Sequence, residues 1–256
     1  MAIVKTHYDM IASLGGNCSA AIQLKNRGLR RESYPLDWVY MEDEKSVAYL
    51  ANGFENGFAD LALRENLRLF TDGLKTGVAR YSYRDVHTGF CFIHQFNELV
   101  DDIAAYDRQI SVVRRRTARF LNRIRESKRV LFILTVRFAF DPGHVVRLKS
   151  TLLRLFPGTE FDIHIKEFNA NLSSPLALSE SWPAELGFSG GERFACDAFP
   201  YSFDYASREW EFLDDVQLNG FTRPPLRGWA RTVYKVWKKS GKWLNDRGYG
   251  VLGVKF

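Results

Sequence analysis

Hydrophobic positions along this chain follow two rhythms, and their alternation predicts an α/β fold. Tyr8 to Leu14 (YDMIASL) is a short apolar run that stops at Gly15-Gly16, the pattern of a strand closed by a glycine turn. From Cys18 to Leu29, Ala21, Ile22, Leu24 and Leu29 share one helical side, and Gly28 stands near the C-terminal end. Pro35 biases Tyr34 away from helix, so Ser33 to Trp38 reads as extended. Glu44 to Leu67 is helical but interrupted at Gly53 and Gly57, and Ala79 to Phe96 reads as a hairpin around Gly89. Leu99 to Lys128 predicts a long, charged helix. Arg129 to Phe138 (RVLFILTVRF) is apolar nearly throughout, as a strand covered on both faces must be. A helix over His144 to Phe156 and a strand over Glu160 to Ile165 follow. Helix, buried strand, helix, strand is the rhythm of a mostly parallel sheet with helices on both sides. The expected organisation is an α/β core over 1–170, an irregular aromatic-rich part of the same domain over 171–222, and a basic tail or helix over 223–256.

Composition narrows the function classes only a little. The 256 residues are 46% hydrophobic, enough for a sizeable core, and 14% aromatic, which suits a pocket with aromatic walls. A net charge of +6 favours anionic partners. Much of the excess lies in the tail, where nine Lys and Arg face the single acid Asp246 and interleave with Trp229, Trp237 and Trp243. That pattern suits a helix lying on an anionic membrane, and equally a helix docking its tryptophans on the core. No nucleic-acid recognition motif accompanies it. Cys18, Cys91 and Cys196 have no metal-ligand spacing, so neither a zinc site nor a disulfide framework is expected. With no secretory pattern and no run near the roughly 18 apolar residues of a membrane span, the expectation is a cytoplasmic chain, peripheral at the inner membrane face if the tail binds there.

The chemistry concentrates at Gly15-Gly16-Asn17-Cys18. In open α/β sheets, ligands bind beyond the carboxyl ends of the strands, and this turn belongs at that edge. Glycines permit positive φ, the free N–H groups of a helix start favour anions, and a thiol at the positive helix end gains thiolate character. The same N–H groups can hold the oxyanion of an acyl-transfer intermediate, and Asn17 can donate to it or cap the helix. A buried structural cysteine at an ordinary strand–helix junction is the plainer alternative.

The segment IASLGGNCSAAIQLKNRGLRRESYPLDWVY resembles the signature of a bacterial family described as papain-like cysteine peptidases of unknown function. Its marks are a Gly-x-Asn-Cys turn, a helix ending Gly-Leu-Arg, a Ser-Tyr-Pro-Phe-Asp-Trp motif and a later Phe-x-His-Asp-Phe. The last is similar to Phe92-Ile93-His94-Gln95-Phe96, and the resemblance covers roughly the first 140 residues. Leu36 and Gln95 depart from the pattern, so an acid after the histidine is not essential here. The turn is also similar to that of a capsule-biosynthesis acetyltransferase that binds coenzyme A, and members of the family stand beside glycosyltransferases in surface-polysaccharide loci. The resemblance implies acyl transfer to a sugar as readily as peptide cleavage. It implies either a papain-like α+β architecture or, closer to the strand order, a three-layer esterase-like one.

A cysteine nucleophile needs a histidine and a group to orient it. The resemblance points to His94; its alternative is a structural histidine in an aromatic strand. His144 is the rival, since Asp141-Pro142-Gly143-His144 follows the strongest strand with the Asp-x-x-His spacing of esterases; its alternative is a helix cap at Asp141. His164 shares a strand face with Asp162, while His7 and His87 read as exposed. Asp37 is the candidate orienting carboxylate or pocket acid, its alternative a turn-forming bond after Pro35. Ser33, Tyr34, Trp38 and Arg137 complete the expected substrate-binding set. The expected function is cysteine-dependent acyl transfer, as acyltransferase, hydrolase or peptidase, with no required cofactor, acyl-coenzyme A as a candidate donor and a glycan as a candidate acceptor. A phosphate- or glycan-binding module without catalysis is the second class, and a glycosyltransferase or its partner the third.

Overall fold

The computed structural model describes residues 6–70, 81–96, 98–138, 140–167, 210, 213 and 216–219. The basic tail 223–256, Cys196 and most of 171–222 lie outside the described residues, so the expectations placed on them are not addressed by it.

The described chain runs β1 (Thr6–Tyr8), β2 (Met10–Ser13), α1 (Ser19–Asn26), β3 (Val39–Met41), α2 (Glu44–Glu55), a 3-10 turn (Arg64–Asn66), β4 (Leu67–Phe70), β5 (Tyr81–Asp85), β6 (Phe90–Phe96), α3 (Ile103–Arg125), β7 (Arg129–Val136), α4 (Gly143–Leu155), β8 (Glu160–Glu167) and β9 (Val216–Leu218). β2, β7 and β8 form a parallel sheet in that order, and β1 pairs with β9, also parallel. The α/β expectation holds: parallel strands are flanked by helices. A four-stranded antiparallel sheet, β3-β6-β5-β4, stands beside them. The strand–helix rhythm announces only its central hairpin, because β3 and β4 are three and four residues long.

β7 is buried along almost its whole length, and its alternating side chains feed two cores. Leu131 and Ile133 join Ile11 and the α1 residues Ala20 and Leu24 on one face. Val130, Phe132 and Leu134 join Phe54, Phe120 and Leu152 on the other, where the rings of Phe54, Phe120 and Phe132 lie 5.8–5.9 Å apart. Helix α1 thus covers one face of the parallel sheet, and α2, α3 and α4 contribute to the other. No helix among the described residues is long and apolar enough to cross a membrane.

The segment after α1 departs from the extended reading. Residues 35–38 form a turn, closed by the Asp37 carboxylate, which accepts from the Tyr34 N–H at 2.9 Å. Pro35 does keep Tyr34 out of helix, but the Asp37 side chain then bends the chain back. It enters β3, whose Met41 N–H donates to the Gly16 carbonyl at 3.4 Å.

Gly16 sets the tightest local constraint. Its φ is +98°, and a Cβ there would stand 1.6 Å from the Thr135 carbonyl oxygen. Gly16→Ala should therefore cost more than about 3 kcal/mol or block folding, because both backbone angle and space forbid the methyl. At Gly158 nothing lies within 4 Å of the same position, and Gly158→Ala should change stability by less than about 0.5 kcal/mol. Urea unfolding of the two variants checks the contrast.

Candidate functional site

Three neighbouring strands end together here. β2 gives way to Gly15-Gly16-Asn17-Cys18, β7 ends in Thr135 and Val136 before Arg137, and β8 carries Lys166 in register with Thr135. Both glycines have positive φ. The Gly15 carbonyl accepts from the Thr135 N–H at 3.2 Å and from the Thr135 hydroxyl at 2.7 Å. The Gly15 N–H donates to Ser13 Oγ at 3.1 Å. One carbonyl of the turn is thus held twice by Thr135 of β7, and the N–H of the same residue is held by Ser13 of β2.

Asn17 is buried, and its Oδ1 accepts from the Ser19 N–H at 2.8 Å and from the Ser19 hydroxyl. Of its two expected roles, the oxygen performs the cap. Cys18 already has helical angles (φ −75°, ψ −7°), and its carbonyl accepts the Ile22 N–H at 3.0 Å. The cysteine is half-buried, unlike the fully buried Cys91 on β6. Burial pushes the Cys91 thiol up to about 12, so that residue reads as structural.

The segment 33–38 lies against this turn. A Cβ on Gly15 would meet Val39 and Met41 at 2.7 and 2.9 Å, with the Leu36 carbonyl at 3.7 Å. Asp37 is fully buried, and its Oδ2 lies 3.3 Å from Arg30 Nη1. Its Oδ1 has no hydrogen-bond partner among the described residues. Loss of water raises the Asp37 carboxyl to about 6, against the pull of Arg30, the Tyr34 N–H and Arg116. Ser33 Oγ accepts from Arg30 Nη2 at 2.7 Å, and the Ser33 carbonyl from Arg119 at 2.8 Å. Tyr34 turns into the core against Phe120, ring centroids 5.4 Å apart.

β3 pairs with β6 through Val39↔Phe92, which brings Trp38 and His94 to the same end of the ladder. Their rings meet edge-on at 5.9 Å. His94 is exposed rather than partly buried. Its neighbour Gln95, where the resemblance led one to expect an acid, accepts from Arg116 of α3 at 2.7 Å. Arg137 is exposed at the carboxyl end of β7, 5.8 Å from the Tyr40 ring.

The rival pair lies at the head of α4. Asp141 Oδ1 accepts from the Gly143 N–H at 2.8 Å, the capping role, and the Asp141 N–H reaches Glu44 at the head of α2 at 3.4 Å. His144 lies in the first turn of α4, half-buried. These heads belong to α2 and α4, which contribute to the Phe132 face, whereas Cys18 begins the helix on the other. His7 and His87 are exposed, the latter 2.9 Å from Asp60.

Thr135, Arg30 and the β8 residues His164 and Lys166 were not predicted as site members. The sequence signal for Thr135 is the one hydroxyl in the apolar run VLFILTV. On β8, Asp162, His164 and Lys166 alternate like a solvent face, yet His164 and Lys166 are 5% and 2% exposed. They share the α1 face with Ile133 and Thr135, and Lys166 Nζ stands 5.0 Å from the ring of buried Trp210. Among the described residues no cluster of His, Cys, Asp and Glu could hold a metal ion.

A family model described as "Putative papain-like cysteine peptidase" matches residues 9–171, a span that includes every candidate named above except His7. An uncharacterised protein of Acanthamoeba polyphaga mimivirus is 30% identical over 150 residues, 54% of this chain and 65% of that protein. The chain thus spans just under two thirds of that relative's length. No solved structure matches it.

Two buried groups predict opposing pH effects on stability. Asp37 rises from 3.8 to about 6 on folding, so the folded state holds its proton longer, and stability from this group falls between about pH 4 and 6. Burial, helped by Lys166, lowers His164 from 6.5 to about 4, so stability from it rises between about pH 4 and 6.5. Each amounts to about 3 kcal/mol. Wild type should be nearly flat over this window, Asp37→Asn should gain stability with rising pH, and His164→Gln should lose it. Thermal unfolding at half-unit pH steps reads the slopes.

Proposed function

The chain belongs to that papain-like cysteine peptidase family, and from this membership we propose that it is a cysteine-dependent acyl-transfer enzyme with Cys18 as its nucleophile. The observation that carries the reading is the half-buried Cys18 at the head of α1, on a glycine turn fastened to the carboxyl end of β7. A turn that cannot shift holds the sulfur and its neighbouring N–H groups in fixed relation. Fixed donors stabilise a developing oxyanion better than solvent does.

In the proposed cycle, His94 accepts the Cys18 proton and the sulfur attacks an acyl carbonyl. The oxyanion is held by N–H groups of the Gly16-to-Cys18 turn and by the Asn17 side-chain amide, whose oxygen is occupied by the cap. As the tetrahedral intermediate collapses, the leaving group takes its proton from the imidazolium, and an acyl-cysteine thioester remains. Water or another acceptor, deprotonated by the same imidazole, then releases the acyl group. Water makes the enzyme a hydrolase or a peptidase, and a sugar hydroxyl makes it an acyltransferase. Trp38 supports the His94 ring, and Asp37 is the pocket acid. Arg137, exposed at the sheet edge, meets a carboxylate or phosphate of the substrate. A bacterial surface-polysaccharide setting, with acyl-coenzyme A as donor and a glycan as acceptor, belongs to the same proposal.

Incubation with an activated acyl ester and with acetyl-coenzyme A, followed by acid quench and peptide mass mapping, should find the acyl group on the Cys18 peptide. Cys18→Ser should abolish that thioester, and His94→Gln should slow its formation by roughly 100-fold or more. Acylation of Cys91 or Cys196 in its place, or none with either donor, counts against the reading.

A further inference from the structure

We infer that Arg30 is a positioning residue that locks the helix presenting Cys18 to the wall carrying His94, an inference that rests on the Cys18–His94 pairing proposed above. Its side chain is only 9% exposed, and both terminal nitrogens are engaged. Nη1 donates to the Ala21 carbonyl within α1 at 3.3 Å, three residues beyond the cysteine, and stands 3.3 Å from Asp37 Oδ2. Nη2 donates to Ser33 Oγ at 2.7 Å. The guanidinium carbon is 5.5 Å from the centroid of Trp38, and Trp38 meets the His94 ring edge-on. One side chain therefore touches both the helix that holds the sulfur and the ring on which the imidazole rests.

The geometry calls for a guanidinium. A lysine ammonium can neutralise Asp37, but it is a point charge on a flexible stem. It cannot present a plane to an indole and two fixed N–H directions together. Arg30 also follows Gly28, whose φ of +71° ends α1 and turns the chain back along the helix. That reversal brings a residue nine positions after Ala21 onto its carbonyl.

A structural strut and a positioning residue differ in one measurable way. A strut's removal harms the protein to the same degree with or without the imidazole, whereas a positioning residue loses its effect on the thiol once His94 is gone. The rate of iodoacetamide reaction at Cys18 of the full chain, at pH 7 and resolved by peptide mapping, is compared for wild type, Arg30→Lys, His94→Gln and the double variant. Arg30→Lys should lower the rate roughly 10- to 100-fold with the near-ultraviolet dichroism retained. In the His94→Gln background the same change should matter by no more than about twofold. Equal fold losses in both backgrounds, or a wild-type rate in Arg30→Lys while His94→Gln is slow, overturn the role given to Arg30. If His94→Gln itself reacts at the wild-type rate, the pairing of Cys18 with His94 is what fails. Should Arg30→Lys not fold, Arg30→Gln, which keeps a planar donor, enters the same comparison.

Discussion

The absence of a side chain at position 16 lets three elements meet at one point. The end of β2, the end of β7 and the end of β3 are joined there by the Gly15 carbonyl on Thr135 and the Gly16 carbonyl under Met41. Backbone lies so close to backbone that no Cβ fits. Everything around the cysteine inherits its place from this contact. The Asn17 cap starts where the turn leaves the sheet, α1 departs from the cap, and the turn at 35–38 packs back on Gly15. A parallel sheet and an antiparallel one thus share a corner, and the candidate chemistry occupies it.

Charge is buried near this corner to an unusual degree. Asp37, Lys166 and His164 are nearly or fully buried, and an ionised group held from water must be compensated or neutral. The structure uses different solutions. Asp37 has a guanidinium and a backbone N–H, and still holds its proton more tightly than an exposed carboxylate. His164 is held in its neutral form. Lys166 lies on the face of an indole, whose electron-rich surface replaces part of the lost hydration. An apolar corner would be simpler to fold, and buried groups with opposed shifts are a mark of functional sites more than of scaffolds.

Much of this was legible in the chain itself. The run RVLFILTV read as a doubly covered strand, and the Gly-Gly-Asn-Cys turn as the end of the strand before it. The alternation of short apolar runs with helical periods gave the parallel sheet. What escaped were features fixed by tertiary contact. Short strands such as β3 have too few residues to show a period, so the antiparallel sheet was only half visible. Tyr34 sits in a motif that suggested a ligand contact, but the turn made by Asp37 aims it at Phe120. Asp162, His164 and Lys166 alternate as a solvent-facing strand does, and only the elements packed over β8 make two of them interior. Arg30 stood only as the last residue of the Gly-Leu-Arg motif, because the fold-back onto Ala21 depends on where Gly28 ends the helix.

The pairing of β1 with β9 carries a consequence for how the molecule is made. Thr6 is matched with Val216 and Tyr8 with Leu218, roughly two hundred residues apart in the chain. Asp9 interrupts the strand before β2, and its carboxylate accepts the Lys128 and Arg129 N–H groups at the foot of β7. During synthesis, the β2–β7–β8 sheet can form once residue 167 has emerged, while β1 waits for β9. Over that interval β1 is an unpaired strand edge, of the kind that pairs with the wrong neighbour. The two parallel sheets are thus completed in turn, the three-stranded one first and the β1–β9 pair only after residue 218.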